Sequence, residues 1–371
     1  MKQIIQQLRE NKGQLNILQN QVTLGFDGFI DSIIRLIKEN NDNKSPLLFQ
    51  EMEEFSDYVR QRAGKNFSLE MHATVVKLGG NMPIMANALG SFGLKINCIG
   101  ALGFPVIDPI FTNLNHHCQL HSFAAPGLTQ AIEFKDGKMI LCQMEELNAV
   151  DWPLLKKRLS LHVLIELMES ATLFGMLNWG ELINSTGIWR GILQEVLPHC
   201  TNNNNRIFFV DLADCTKRTT EEINEMLLLL KEFNKFGKLT LGLNQNEALC
   251  IYQVLFNTQP EKDTIDFIGT SLFEGLSINT LLVHNRREAI AFRADEQVRE
   301  NSFLVAEPKL LTGAGDNFNA GFCLAQLIKM NLPDSLLLAH VVSAYYIKNG
   351  MSANWDTLLE ELEKANSYHQ K

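Results

Sequence analysis

No Gly-x-x-x-x-Gly-Lys-Ser/Thr stretch occurs in the 371 residues, so the phosphate-binding loop built on that lysine is excluded. Cys-x-x-Cys is missing as well. Cys98, Cys118, Cys142, Cys200, Cys215, Cys250 and Cys323 are scattered and odd in number, which points to reduced thiols and away from a zinc site or disulfide framework. Positive charge is in short supply: 33 Lys and Arg against 42 Asp and Glu leave a net charge of −9. That balance argues against nucleic acid or an anionic membrane surface as the main partner, and it makes any phosphate ligand depend on local donors and a divalent cation. No apolar run approaches the roughly 18 residues of a membrane span, and the Gln-, Asn- and Lys-rich start has no signal-peptide core, so the expected location is cytoplasmic.

What is present reads as one large α/β unit over residues 1–371. Hydrophobic residues make up 46% and charged residues 20%, globular values that allow a large core. Strands are expected at Val22 to Phe26, Leu69 to Leu78, Lys95 to Gly100, Ala171 to Leu177, Arg206 to Val210, Leu239 to Leu243 and from Thr280. Helices are expected at Met82 to Phe92, Asp108 to Cys118, Ile188 to Leu197, Thr220 to Phe236, Asn317 to Met330, Ser335 to Asn349 and Trp355 to Ala365. Ile4, Ile5, Leu8, Leu15 and Leu18 predict a leading helix. Asn40 to Pro46 and Asn202 to Asn205 read as loops, Leu47 to Arg62 as an inserted surface helix. Gln119 to Met144 turns to β pattern, with Lys135 to Lys138 as a hairpin turn.

The stretch around which the chain is organised is Leu310 to Phe322, a glycine-rich turn, one carboxylate and an apolar helix. Gly313 and Gly315 allow positive φ and close approach, so the amides of Gly313, Ala314, Gly315 and Asp316 can converge on an anion at the helix's positive end. Asp316 at such a mouth suits a proton acceptor beside a developing phosphate charge. The same five residues are equally an ordinary turn whose Asp caps the helix. Elsewhere, Asp27 and Asp31 follow a strand that breaks at Gly25, the end of a parallel sheet where ligands bind. Carboxylates suit polyols, since each accepts two hydroxyl hydrogen bonds. Asp31 also reads as a helix cap. Asn244 and Glu247 share one helix face, as ligand supports or as a capping box. Asn178 and Asp211 stand at strand ends, facing one crevice or capping loops.

Thr312-Gly313-Ala314-Gly315-Asp316 with Phe318, Ala320, Gly321 and Phe322 resembles the C-terminal signature of the PfkB (ribokinase-like) family of carbohydrate and nucleoside kinases. Gly79-Gly80 with Ala86, Leu89 and Gly93 resembles its N-terminal signature, and the resemblance covers about residues 22 to 350. It implies a three-layer α/β fold with a mainly parallel sheet and a small β lid, from roughly 65–78 and 118–145. It implies transfer of the ATP γ-phosphate to a hydroxyl of a sugar, polyol or nucleoside with Mg2+. Asp316 would be the base and the turn at Gly313 to Gly315 the anion hole. Asn244 and Glu247 would support the metal through water, Thr312 and His284 would lie by the nucleotide, and Asp31, Asp27, Gly79, Gly80 and Asn81 would line the sugar. Two positions depart: Ile84 stands where the family usually has a substrate-binding Asn, with Asn81 as its substitute, and His284 and Asn285 replace Thr and Gly. The segments Gly25 to Asp31 and Ile84 to Asn87 resemble the related ADP-dependent sugar kinases, one rival reading. A non-catalytic sugar or nucleotide sensor is the other. Dimerisation through the lid follows the family's habit.

Overall fold

Phe208 and Phe209 are neighbours in one strand, yet they pack into different cores. Side chains alternate across a strand, and both faces of this sheet are covered by helices, which is the three-layer arrangement. The computed structural model describes residues 2–12, 21–40, 45–201 and 206–368. Leu15, Leu18, the middle of the Asn40 to Pro46 loop and the Asn202 to Asn205 run lie outside the described residues.

The main sheet holds β1 (Gln21–Phe26), β5 (Lys95–Gly100), β6 (Cys118–Ser122), β9 (Ala171–Leu177), β10 (Ile207–Asp211), β11 (Lys238–Asn244), β12 (Thr280–His284), β13 (Glu288–Arg293) and β14 (Glu296–Asn301). Their order is β14-β13-β12-β11-β10-β9-β1-β5-β6. Pairing is parallel from β12 to β6, and β13 and β14 add an antiparallel edge. The strand order turns back between β9 and β1. In an open parallel sheet a crevice forms beyond the strand ends at such a reversal, and Asp27 and Asn178 follow β1 and β9 there.

A second sheet contains β2 (Phe29–Glu39), β3 (Leu47–Leu48), β4 (Met71–Gly79), β7 (Gly127–Glu133) and β8 (Lys138–Gln143), with β2 central between β4 and β7. Its own small core is Ile34, Leu36, Phe49 and Ile132, covered by Phe55 of helix Met52–Arg60. Three sequence expectations are corrected here. Residues 118–122 do not join the small sheet: β6 pairs with β5 at the edge of the main one. Residues 29–39, read after Asp31 as a possible helix, form the small sheet's longest strand because β4 and β7 both bond to it. Asp108 to Cys118 forms only a 3-10 turn, Pro109–Asn113, capped by Asp108 with Pro at its start.

Among the described residues no helix is long and apolar enough to cross a membrane.

Candidate active site

Helix Ala314–Leu327 begins at Gly313, whose φ of 93° suits glycine. A Cβ there would lie 2.7 Å from the Tyr346 hydroxyl. That hydroxyl donates to the Thr312 carbonyl at 2.8 Å, and the Asn317 side chain donates to the Gly313 carbonyl at 2.9 Å. The turn is thus held from two helices. Gly315 has open space where its Cβ would stand, and as a first-turn residue its amide has no partner within the helix. The convergence expected of all four amides is narrower than the sequence suggests, since Ala314 N–H donates to Leu311 O at 3.1 Å. Thr312 is exposed beside the turn.

Asp316 sits in the first turn, partly exposed. Burial raises its pKa well above the ordinary carboxylate value, and the charges of Asp211 and Asp27 add to this. Hydrogen bonds from its own amide and from Asn81 oppose the rise.

On one side of the crevice, Asp27 is fully buried. Its Oδ2 accepts from the Asn81 amide at 2.8 Å and from Asn178 Nδ2 at 2.7 Å, and its Oδ1 accepts from the Met82 amide at 2.8 Å. The carboxylate therefore caps helix Asn81–Ser91 from another strand. Burial pushes its pKa up to about 6 against those bonds. Gly80 has no room for a Cβ beyond this carboxylate, and Gly79 none beyond that of Asp31. Asp31 stands on β2, level with Lys77 on β4 and Thr129 on β7. Its pKa is raised by burial and lowered by the Lys77 charge and a Thr129 hydrogen bond. The cap reading of Asp31 is excluded, because strand continues beyond it. Tyr346 reports on both sides of the crevice: burial first, then the charges of Asp316 and Asp31, push its phenol up to about 12.

On the opposite side, Asn244 and Glu247 form a complete capping box. Asn244 Oδ1 accepts from the Asn246 and Glu247 amides at 2.9 and 3.0 Å, and Glu247 Oε2 accepts from the Asn244 amide at 2.9 Å. Asn244 Nδ2 also donates to Glu247 Oε1 at 2.5 Å. Both readings of this pair share one geometry, for Glu247 is buried and its pKa is raised well above normal. Burial is the first cause, then Asp211, with Asp214 and Asp316 further contributors. Four acids gathered in this way gain from a nearby cation, and hard oxygen donors suit Mg2+. Among the described residues no group of three or more His, Cys, Asp and Glu is placed to hold an ion directly.

Beyond these acids lies a pocket of about 610 Å³, lined by Asn244, His284, Asn285, Gly315, Phe318, His340 and Ile347 among others. The Phe318 ring lies 4.9 Å from His284 and 5.0 Å from His340. Burial holds both imidazoles down at about 4, with His340 adding to the effect on His284, so they are neutral at pH 7. Asn244, His284, Ala314 and Gly315 line this pocket, Asp27, Asp31, Gly79, Gly80 and Asn81 form a second group through the contacts above, and Thr312 stays exposed beside the turn. Asp211, read from sequence with Asn178 as facing a crevice or capping a loop, bonds to both Asn319 and the Ala213 amide, and Asn319 is the residue that sequence reasoning missed. Asp211 had its strand-end position as a signal, and Asn319 had its place three residues after Asp316.

The model of the prokaryotic ketohexokinase family matches residues 4–364. The chain belongs to that family. It is 25% identical to a ketohexokinase of Haloferax volcanii over 340 residues, 91% of this chain and 89% of the other. Its fold is like that of an adenosine kinase from Sinorhizobium meliloti (TM-score 0.63, 16% identity, 93% and 99% of the two chains covered). It is also like that of a ribokinase II from E. coli solved with ATP and Mg2+ (TM-score 0.61, 14% identity, 94% and 100% covered). The fold is therefore the ribokinase-like α/β fold. As a ketohexokinase-family member the chain is a phosphotransferase acting on a sugar hydroxyl, which removes the sensor reading.

Proposed function

We propose that this enzyme transfers the γ-phosphoryl group of ATP to a hydroxyl of a ketohexose. The observation that carries the reading is the position of Asp316, within reach of the Asp27 carboxylate and of Asn81 on one side and beside a pocket that reaches its helix N-terminus on the other. The sugar lies against Asp27, Asp31, Asn81 and the bare backbone of Gly79 and Gly80, under the small sheet acting as a lid. Carboxylate acceptors and close backbone approach suit a ring of hydroxyls. The nucleotide lies in the 610 Å³ pocket, with its phosphates toward Gly313 and Gly315 and its ring system toward the neutral His284 and His340.

Asp316 takes the proton of the attacking hydroxyl as the new O–P bond forms and the bond to the β-phosphate oxygen breaks, releasing ADP. The first-turn amides receive the charge on the transferred group. Asn244 and Glu247 would hold the hydration shell of Mg2+, and the ion would supply charge neutralisation on the phosphates. ATP as donor places the enzyme in the cytoplasm under this reading, and residues 1–371 act as one catalytic unit. Pairing of two copies through the small sheet belongs to the same proposal. Val76 and Ile140 of that sheet are 56% and 59% exposed, and gel filtration reads the outcome.

A coupled assay with fructose, other sugars and nucleosides, each with ATP or ADP and with Mg2+ or EDTA, tests the reading. Turnover of fructose with ATP and Mg2+ is expected. Turnover only with ADP, or only with a nucleoside, would overturn it.

A further inference from the structure

We propose that Asp211 is a positioning residue for phosphoryl transfer, locking the helix that carries Asp316 onto the sugar wall. Asp211 ends β10, beyond the reversal of strand order. Its Oδ2 accepts from Asn319 Nδ2 at 2.5 Å. Its Oδ1 accepts from the Ala213 amide at 2.9 Å and lies 3.4 Å from the side-chain nitrogen of Asn81. Asn319 is three residues beyond Asp316, on the same face of the helix. It is 1% exposed, and its Oδ1 has no hydrogen-bond partner.

The amide of Asn319 therefore holds the helix through one charge-assisted bond, with no second polar contact from its carbonyl. Rolling the helix would break that bond and leave a buried donor unsatisfied. Asn81, the other end of the link, is fixed by its backbone amide on Asp27. Asp27, Asn81, Asp211 and Asn319 thus form a continuous chain of hydrogen bonds. It joins the end of β1, helix Asn81–Ser91, β10 and helix Ala314–Leu327, the last of which carries Asp316. A misplacement of about 1 Å at a reacting group costs roughly a hundredfold, so the aim of Asp316 depends on this chain.

The inference rests on Asp316 as the base, and the test separates the two. Asn319→Ala is expected to lower kcat roughly 30-fold, with the sugar KM within about threefold of wild type. Asp211→Asn is expected to lower kcat comparably, and the double variant to lose no more than the worse single one, because the pair acts as a unit. Losses that multiply, or a wild-type kcat in Asn319→Ala, would overturn the proposal. A deficit that disappears at saturating Mg2+ would overturn it too, since it would make Asp211 a metal support. Circular dichroism checks folding, and if Asn319→Ala does not fold, Asn319→Ser carries the same expectations. Should Asp316→Asn prove fully active, the reaction scheme itself fails; if Asp316→Asn is inactive while Asn319→Ala is normal, only the positioning role fails.

Discussion

Asn178 Nδ2 donates to Asp27 Oδ2 at 2.7 Å across 151 residues of chain, joining the ends of the two strands at which the sheet order reverses. The bond favours the charged form of Asp27, but burial outweighs it and the pKa stands near 6 instead of 3.8. The folded protein therefore holds a proton that the unfolded chain has released, and Asp27 contributes stability that fades as pH rises through about 6. Asp27→Asn removes that loss. Relative to wild type, the variant is expected to gain about 1 kcal/mol between pH 5 and pH 7. Urea unfolding of both proteins at the two pH values checks this, and a change of opposite sign contradicts it. Sugar affinity of the variant should fall.

Asp316→Asn keeps the side chain's shape and loses its basicity. We expect kcat to drop by roughly a hundredfold or more while nucleotide affinity stays near wild type. Steady-state kinetics and calorimetric ATP binding make the comparison, and equal losses in both would assign Asp316 to binding instead.

Glu247 closes a capping box, and the proposed mechanism gives it a second purpose that one substitution separates. Gln at the same place still closes a capping box, but it removes a buried carboxylate whose charged form is disfavoured. Glu247→Gln is expected to keep Tm at or above the wild-type value and to raise the Mg2+ needed for half-maximal rate about tenfold or more. Asn244→Ala should instead cost about 1 kcal/mol of stability through loss of the cap. A fall in Tm for Glu247→Gln, with Mg2+ dependence unchanged, would leave the pair a cap and nothing more.

His340 is 4% exposed and its folded pKa is about 4 against 6.5. The unfolded chain takes up a proton on acidification that the folded protein refuses, so this contribution is complete above about pH 6.5 and is lost as pH falls toward 4. About 2 kcal/mol is gone by pH 5. His340→Gln should therefore lose less stability than wild type between pH 7.5 and pH 5. A parallel pair of denaturation curves would count against a neutral imidazole.

Some of this site can be read without coordinates because local chemistry dictates it. Gly313 must adopt positive φ and Asp316 must follow it, so five consecutive residues carry the turn and its carboxylate. Asn244 and Glu247 are likewise three residues apart on one helix end. The strand after Asp31 is different. Ser32-Ile-Ile-Arg-Leu-Ile has apolar residues at spacings that fit helix or strand, and only pairing with residues 71–79 and 127–132 on its two sides decides between them. Asp211 and Asn319 lie 108 residues apart, and no local pattern announces a bond between them. Asp27 and Asp31 show the same limit on a smaller scale. Both are visible as acids after a strand, but only the folded chain shows that one caps a helix from the main sheet while the other rides on the small sheet.

The small sheet is rooted in the crevice at two places. β2 starts two residues after Asp27, and β4 ends at Gly79, one residue before the helix that begins at Asn81. A tilt of the cover would drag the carboxylates and amides at its base along with it. On the proposed reading, gripping the sugar and shutting out solvent become a single mechanical event, and a mutation that loosens the roof would be felt first as a weaker hold on the acceptor.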